Sequence, residues 1–291
     1  MPELPEVETI KRGLGQFIVG KIVSEVTFDW DKSFPNAKSD VQAFLIGAKI
    51  TDVRRRAKVL LIDLSTEHTL VIHLKMTGQM VYRGSGEAFG AGHPNDSLIG
   101  ELPDRSTRVT LTFSDNSKLF FNDQRKFGWM RLIPAIEVSN IDFFMKVGPE
   151  PLAADFTQVD FKQRLMTRPN TNIKAALLDQ SVIAGVGNIY ADESLWGAKI
   201  HPTTITNKLS DRLIYLLYDE LRYVLSLAIE KGGSSDRNYV NAEGKRGSYL
   251  SFARVFRREG QSCPRCGTTI IKTRVASRGT HTCPKCQKET I

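Results

Sequence analysis

The chain has 291 residues, enough to bury two sizeable cores, so two domains are the default expectation. No apolar run approaches the roughly 20 residues of a membrane span, and the N-terminus lacks a basic-then-apolar signal region, so a soluble, cytoplasmic protein is expected. The net charge of +8 is one-sided: residues 231–291 hold 13 Lys and Arg against 4 Asp and Glu, residues 1–230 hold 27 against 28, and such an excess points to a polyanion, nucleic acid first.

The chain opens "MPELPEVETI". Proline in a first helical turn and acids near the positive end of the helix dipole both suit helix initiation, and Val7, Ile10, Leu14 and Phe17 continue a helical stripe. The same ten residues admit a second reading. Removal of Met1 would leave Pro2 as a free secondary amine with carboxylates close by.

Residues 21–134 read mainly as strands. "KIVSEVTF", "AKVLLIDL", "HTLVIHLKM" and "RVTLTF" are rich in β-branched and alternating apolar residues, and "SDNS" turns "RVTLTF" into "KLFF" as a hairpin. The glycine-rich stretch 84–100 reads as a long surface loop. An antiparallel sandwich or barrel is predicted.

Helical periodicity takes over after "VGPEPL" at 147–152. "DFTQVDFKQRLMTR", "IKAALLDQ", "ADESLWGAKI" and "SDRLIYLLYDELRYVLSLAIEKG" are predicted helices, the last with a stripe of Leu213, Leu217, Leu221, Val224 and Ala228. In "AGVGNIYADESLW", Gly185 and Gly187 allow a tight backbone approach and Asn188 is a predicted N-cap. The motif fits either an ordinary capped turn or a phosphate site at a helix N-terminus.

Cys263, Cys266, Cys283 and Cys286 form two C-x2-C pairs with 16 residues between them, the spacing of a tetrahedral zinc site. Two disulfides are the alternative, disfavoured in a reducing cytosol. Four thiolates close the coordination shell, so one structural Zn2+ per chain is expected.

A terminal amine with a neighbouring carboxyl can form a Schiff base at a sugar C1′ and shuttle protons as the ring opens. An α-amino group, with a pKa near 7.7–8.0, is partly neutral at pH 7, whereas lysine is not. "PELPEVET", "RRRAKVLL", "HLKMTG", "DQRKFG", "GPEPL", "GVGNIYADESLW", "KIHP", "GGSS" and the cysteine pairs, in that order, make the chain resemble the bacterial formamidopyrimidine-DNA glycosylases almost end to end. The resemblance implies an α+β multidomain fold: a β-sandwich with an N-terminal helix (1–134), a linker (135–152), a helix–two-turn–helix domain (153–232), a flexible loop and connection (233–256) and a zinc-finger hairpin (257–291).

It also implies base-excision repair of double-stranded DNA by a monomer. Oxidised purines (8-oxoguanine, formamidopyrimidines) would be removed through a Schiff base on Pro2, and the strand nicked by β,δ-elimination. Carried onto this chain, Glu3 assists base loss and Glu6 positions the amine. Lys58 contacts phosphate and donates a proton in β-elimination, and Arg278 grips phosphate and serves δ-elimination. Asn188 and Lys174 clamp phosphates, and Met76, Arg125 and Phe127 form the wedge filling the hole left by a flipped base. By position alone, Lys58 fits a solvated strand lysine, Met76 and Phe127 fit core, and His73 reads as structural.

The chain departs from the family pattern at 105–108, "RSTR", where relatives carry a DNA-contacting histidine; His93 or Ser106 is the candidate replacement. Asn170 falls where relatives have a basic contact. Two alternatives stay open: an endonuclease VIII-like enzyme for oxidised pyrimidines, and a non-catalytic reader of damaged DNA.

Overall fold

The computed structural model describes residues 2–93, 95–234 and 249–289. Two compact units emerge, residues 1–145 with 231–248 and residues 146–230 with 249–291. Among the described residues no helix is long and apolar enough to cross a membrane.

The first unit begins with helix α1 (Leu4–Ile18), whose Pro5 lies in the first turn. Glu3 is the N-cap, and Glu6 Oε2 accepts from the Glu3 N–H at 2.8 Å. Nine strands follow: β1 (Val23–Phe28), β2 (Ile50–Arg56), β3 (Val59–Leu64), β4 (His68–His73), β5 (Gly78–Arg83), β6 (Ala88–Gly92), β7 (Thr107–Phe113), β8 (Lys118–Asp123) and β9 (Trp129–Pro134). They form two sheets, ordered β1-β7-β8-β5-β6 and β2-β3-β4-β9, with antiparallel pairing throughout. The predicted hairpin over 114–117 joins β7 to β8, with Asn116 in the left-handed region (φ 67°). The apolar stripe of α1 joins the inner faces of both sheets in one core.

Two expectations fail here. Residues 84–100 are not a single surface loop, because β6 pairs along β5 from Gln79↔Gly92 to Arg83↔Ala88 and Phe89 is buried beneath α1. A Cβ at Gly13 would sit 2.1 Å from the Phe89 ring, so glycine in α1 is what lets helix and strand touch. Residues 135–145, read as part of a linker, instead cover the outer face of the second sheet: Val138, Ile141, Phe143 and Phe144 pack on Val59, Leu61 and Val71. Val59, Leu61 and Val71 form an apolar patch on that face, and residues 135–145 shield it from water.

The second unit contains helices α2 (Gln158–Leu165), α3 (Ile173–Leu178), α4 (Asn188–Gly197) and α5 (Asp211–Glu230). The α5 stripe buries Leu217, Leu221, Val224 and Ala228 as predicted, and leaves Leu213 partly covered. Of the expected flexible connection over 233–256, residues 235–248 lie outside the described residues, and Tyr249–Phe252 form one short helical turn. The chain ends in a hairpin of β10 (Ile271–Val275) and β11 (Arg278–Thr282). Its two-residue turn places Ala276 and Ser277 at φ 50° and 60°, a type I′ geometry without the usual glycine or asparagine.

Candidate active site

At the head of α1, Pro2, Glu3 and Glu6 are all buried. Both oxygens of Glu6 are engaged: Oε2 holds the Glu3 amide, and Oε1 accepts from the Ser234 N–H (2.7 Å) and Oγ–H (2.8 Å). Gly233, at φ 88°, lies so close that a Cβ there would stand 3.2 Å from Glu6 Oε1. Gly233 and Ser234 therefore anchor the residue that holds the Glu3 backbone. Glu6 is thus occupied with holding the backbone, and the Glu3 carboxyl beside it is buried at the head of the helix.

Lys58 does not lie in a strand. It follows Ala57 (φ 53°) in the two-residue turn between β2 and β3, and it is 94% buried rather than solvated. Arg55 fixes this turn to α1, donating to Glu8 Oε2 at 3.0 Å and to the Ala57 carbonyl at 3.0 Å. Burial pushes the Glu8 carboxyl up, but hydrogen bonds from Arg55 and Arg12 outweigh it and hold the group below the usual range. Val59 pairs with His73 at the same sheet end. Burial, then repulsion from Lys75 and Lys58, lowers the His73 ring to about 4. Its Nδ1 accepts from the Lys75 N–H at 3.0 Å, so the neutral ring carries its proton on Nε2. A donor imidazole beside two ammonium groups suits an anion, a role the sequence reading passed over.

The expected wedge residues lie on two loops at this end. Met76 follows β4, and Arg125 and Phe127 follow β8. Met76 is 39% and Phe127 54% exposed, which removes the reading of these two as core. The Arg125 guanidinium stands over the Phe127 ring at 4.8 Å. His93 is half-buried, and its backbone N–H donates to the Gly78 carbonyl at 3.1 Å. Burial lowers its ring pKa. Ser106 is ruled out as a replacement DNA contact, because it is buried and tied to Asp104 and Ser97.

In the second unit the sequence-derived residues divide. Asn188 is not the N-cap. Gly187 takes that place and Asn188 opens α4, its Nδ2 donating to the Gly279 carbonyl at 3.0 Å. Lys174 is fully buried, with Nζ donating to Asp192 (2.6 Å), Thr280 Oγ1 (2.7 Å) and the same Gly279 carbonyl (3.2 Å). An ammonium so enclosed cannot reach a phosphate directly, and it instead holds β11 behind Arg278. Asp192 completes the support by accepting from the His281 N–H at 2.9 Å. Neither Asp192 nor His281 was singled out from sequence, since nothing local marks a buried partner. Arg278 is exposed at the hairpin tip, and Asn170 lies on an exposed turn, where it accepts from Asn207 at 3.0 Å.

The sulfurs of Cys263, Cys266, Cys283 and Cys286 lie within 4.8 Å of one another, with no disulfide among them. Three of the separations are 3.4, 3.5 and 4.0 Å. A zinc tetrahedron with 2.3 Å bonds has edges of about 3.8 Å, so the donor set fits that ion. Hydrogen bonding from Thr268 draws Cys266 down to about 6, whereas burial and the adjacent sulfurs push Cys286 up to about 12. A cation shared by all four would offset the second effect by stabilising every thiolate. The site is docked on α4: Arg265 stacks on Trp196 at 3.8 Å and donates to the Trp196 and Gly197 carbonyls, while Gln287 joins the Cys283 N–H to the Ile200 carbonyl.

Comparison with known proteins adds the following. Three family models match: the formamidopyrimidine-DNA glycosylase N-terminal domain over residues 1–130, the H2TH domain of the same enzymes over 147–239, and the zinc finger found in FPG and IleRS over 260–288. The formamidopyrimidine-DNA glycosylase of Pediococcus pentosaceus is 42% identical over 287 residues, covering 99% of each chain. That of Herpetosiphon aurantiacus is 43% identical over 289 residues, covering 99% of this chain and all of the other. Among solved structures, Lactococcus lactis Fpg bound to abasic-site DNA matches with a TM-score of 0.86, and MutM with carbocyclic 8-oxo-G DNA with 0.85. Both are 35% identical and cover 99% of this chain and 100% of theirs.

Proposed function

We propose that this chain, which belongs to the formamidopyrimidine-DNA glycosylase family, removes oxidised purines from duplex DNA and cuts the abasic product, with the amine of Pro2 as nucleophile. The carrying observation is the buried head of α1, where Glu6 is held by Ser234 and in turn holds the backbone next to Pro2. The relatives are named as formamidopyrimidine-DNA glycosylases, and the similar complexes contain Fapy-dG, 8-oxo-G and abasic DNA, which supports purine lesions as the main substrates; a further similar complex holds an oxidised pyrimidine, so a secondary action on such bases fits as well.

With Met1 removed, Pro2 attacks C1′ of the flipped nucleotide. The glycosidic bond breaks and its electron pair leaves with the base. The Pro2 nitrogen, having lost its proton, then pushes out O4′, so that the C1′–O4′ bond opens to an iminium, and Glu3 serves to protonate the departing base and O4′. The iminium at C1′ acidifies C2′–H, and loss of that proton expels the 3′-phosphate. A second elimination expels the 5′-phosphate, and water releases Pro2. Lys58 and His73 hold phosphate near the reacting sugar; Arg278, on a hairpin steadied by Lys174 and Asn188, grips phosphate as well. Zinc, closed by four thiolates, supplies rigidity to that hairpin and no reactive position. On this reading the enzyme works in the cytoplasm, on the chromosome.

Borohydride reduces a Schiff base to a stable amine, so the protein should be trapped covalently on 8-oxoguanine duplexes. Pro2→Gly should abolish most trapping, and undiminished trapping would move the nucleophile elsewhere. Glu3→Gln should impair base removal more than cleavage of a ready-made abasic site; equal loss would remove its special role.

A further inference from the structure

The two wedge loops are crossovers between the sheets, and they run side by side. One leaves β4 for β5 and the other leaves β8 for β9, with Gly78↔Asp123 paired in one sheet and His73↔Trp129 in the other. Between them lies a single carboxylate that the mechanism above does not use. Asp123 is fully buried. Its Oδ1 accepts from the Thr77 hydroxyl and from the Arg125 N–H at 3.2 Å, and its Oδ2 accepts from the Phe127 N–H at 2.8 Å and the Gly128 N–H at 2.7 Å. Thr77 adjoins Met76 in sequence, and its Oγ1 also accepts from the Arg125 N–H at 3.2 Å.

We infer that Asp123 is the positioning residue of the wedge, one anion that binds the Met76 loop and the Arg125–Phe127 loop into a single preformed unit. The inference rests on the wedge reading of Met76, Arg125 and Phe127. The backbone of Asp123 is itself fixed: its N–H donates to the Ser106 carbonyl at 2.7 Å, and its carbonyl accepts from buried Arg108 Nε at 3.0 Å. Thus the carboxylate is anchored in β8 while its oxygens reach both loops. Gly128 has to lack a side chain, since a Cβ there would meet the Phe121 ring at 2.6 Å and Asp123 Oδ2 at 3.2 Å. Lys126 sits at φ 57°, a left-handed residue that returns the loop so that three of its amides converge on one side chain.

The chemistry requires a carboxylate. Four donors converge on two oxygens, and an amide of the same shape offers one acceptor and one donor group. In Asp123→Asn the new NH2 would face either the Phe127 and Gly128 amides or the Thr77–Arg125 pair, and that loop would be pushed from its place. The wedge must enter a base step as the lesion is flipped, so a small displacement weakens the duplex reaction specifically.

The test compares two substrates. Excision of 8-oxoguanine from a duplex needs the wedge; cleavage of an abasic site in a single strand has no partner strand to fill. Asp123→Asn should slow the first by about tenfold or more and leave the second within about twofold. It should also diminish the fluorescence change of 2-aminopurine placed opposite the lesion. Thr77→Val should act in the same direction more weakly, and Thr77→Ser should restore wild-type behaviour, which keeps the inference testable if Asp123→Asn folds poorly. Parallel loss on both substrates, or unchanged duplex excision, would overturn it. Arg125→Ala with Phe127→Ala is the control: if the pair leaves duplex excision intact, the wedge reading itself fails; if the pair slows it and Asp123→Asn does not, only the positioning role fails.

Discussion

His73 shows how much a single residue's surroundings decide. An imidazole titrates near 6.5 when solvated, and here burial with two neighbouring lysines lowers it to about 4. The unfolded chain takes up this proton first, so stability is fully present above pH 6.5 and is lost as pH falls from 6.5 towards 4. A shift of that size corresponds to about 3 kcal/mol. His73→Gln should flatten the acid side of the stability curve in that window, as read by urea unfolding at successive pH values; an unchanged slope would mean that the ring is not held neutral. Arg125 carries the prediction on specificity. Its fork of donors suits the O2 and N3 acceptors of an orphaned cytosine. Excision of 8-oxoguanine should be fast opposite cytosine and poor opposite adenine, and Arg125→Ala should narrow the difference in single-turnover assays. Faster removal of thymine glycol than of 8-oxoguanine opposite cytosine would favour the pyrimidine alternative.

At the scale of elements, the β10–β11 hairpin is too small to bury a core of its own. The residues flanking it, Cys263, Ile270 and Cys283, pack with Trp196 and Val255. Asn188, Lys174 and Asp192 secure β11 through the Gly279 carbonyl, the Thr280 hydroxyl and the His281 amide. Helix α4 thus presents the hairpin tip, and zinc completes the other end. Elemental analysis should find one zinc per chain. Cys283→Ser should lose the metal and duplex affinity together, because three remaining thiolates leave the knuckles poorly held. Wild-type affinity in a demonstrably metal-free protein would separate the two. Helix α1 is secured by the same logic: its cap fixes Pro2 and Glu3, its Glu8 engages Arg55, and Gly13 admits Phe89.

Over the whole molecule, charge is partitioned: all the net positive charge belongs to residues 231–291. Duplex binding should therefore fall steeply with salt, each neutralised phosphate adding about −0.9 to the log–log slope. Arg274 and Arg278 are exposed on the hairpin, and replacing both by Gln should make the slope shallower by about 1.8 if each meets a phosphate. An unaltered slope would place the binding charge elsewhere. Features governed by near neighbours in the chain were legible without coordinates. The alternation of "RVTLTF", the proline and acids opening α1, the apolar stripe of α5 and the spacing of the cysteines each follow from local periodicity or chelate geometry. Features that depend on distant partners were not. Residues 88–92 of the glycine-rich stretch become a strand whose Phe89 fits the gap at Gly13, and Lys174 becomes a buried support because Asp192 and Thr280 surround it. Asn188 turns from cap to tether because the Gly279 carbonyl lies within its reach. Asp123 becomes a joint between two loops because Thr77, 46 residues earlier, meets the same carboxylate as the amides of its own loop, and His73 is shifted in part by Lys58 in the turn that precedes the paired strand β3. A residue's type sets what it can donate, accept or bury; only the folded arrangement decides which partner is close enough to meet that capacity, and at what exposure to water.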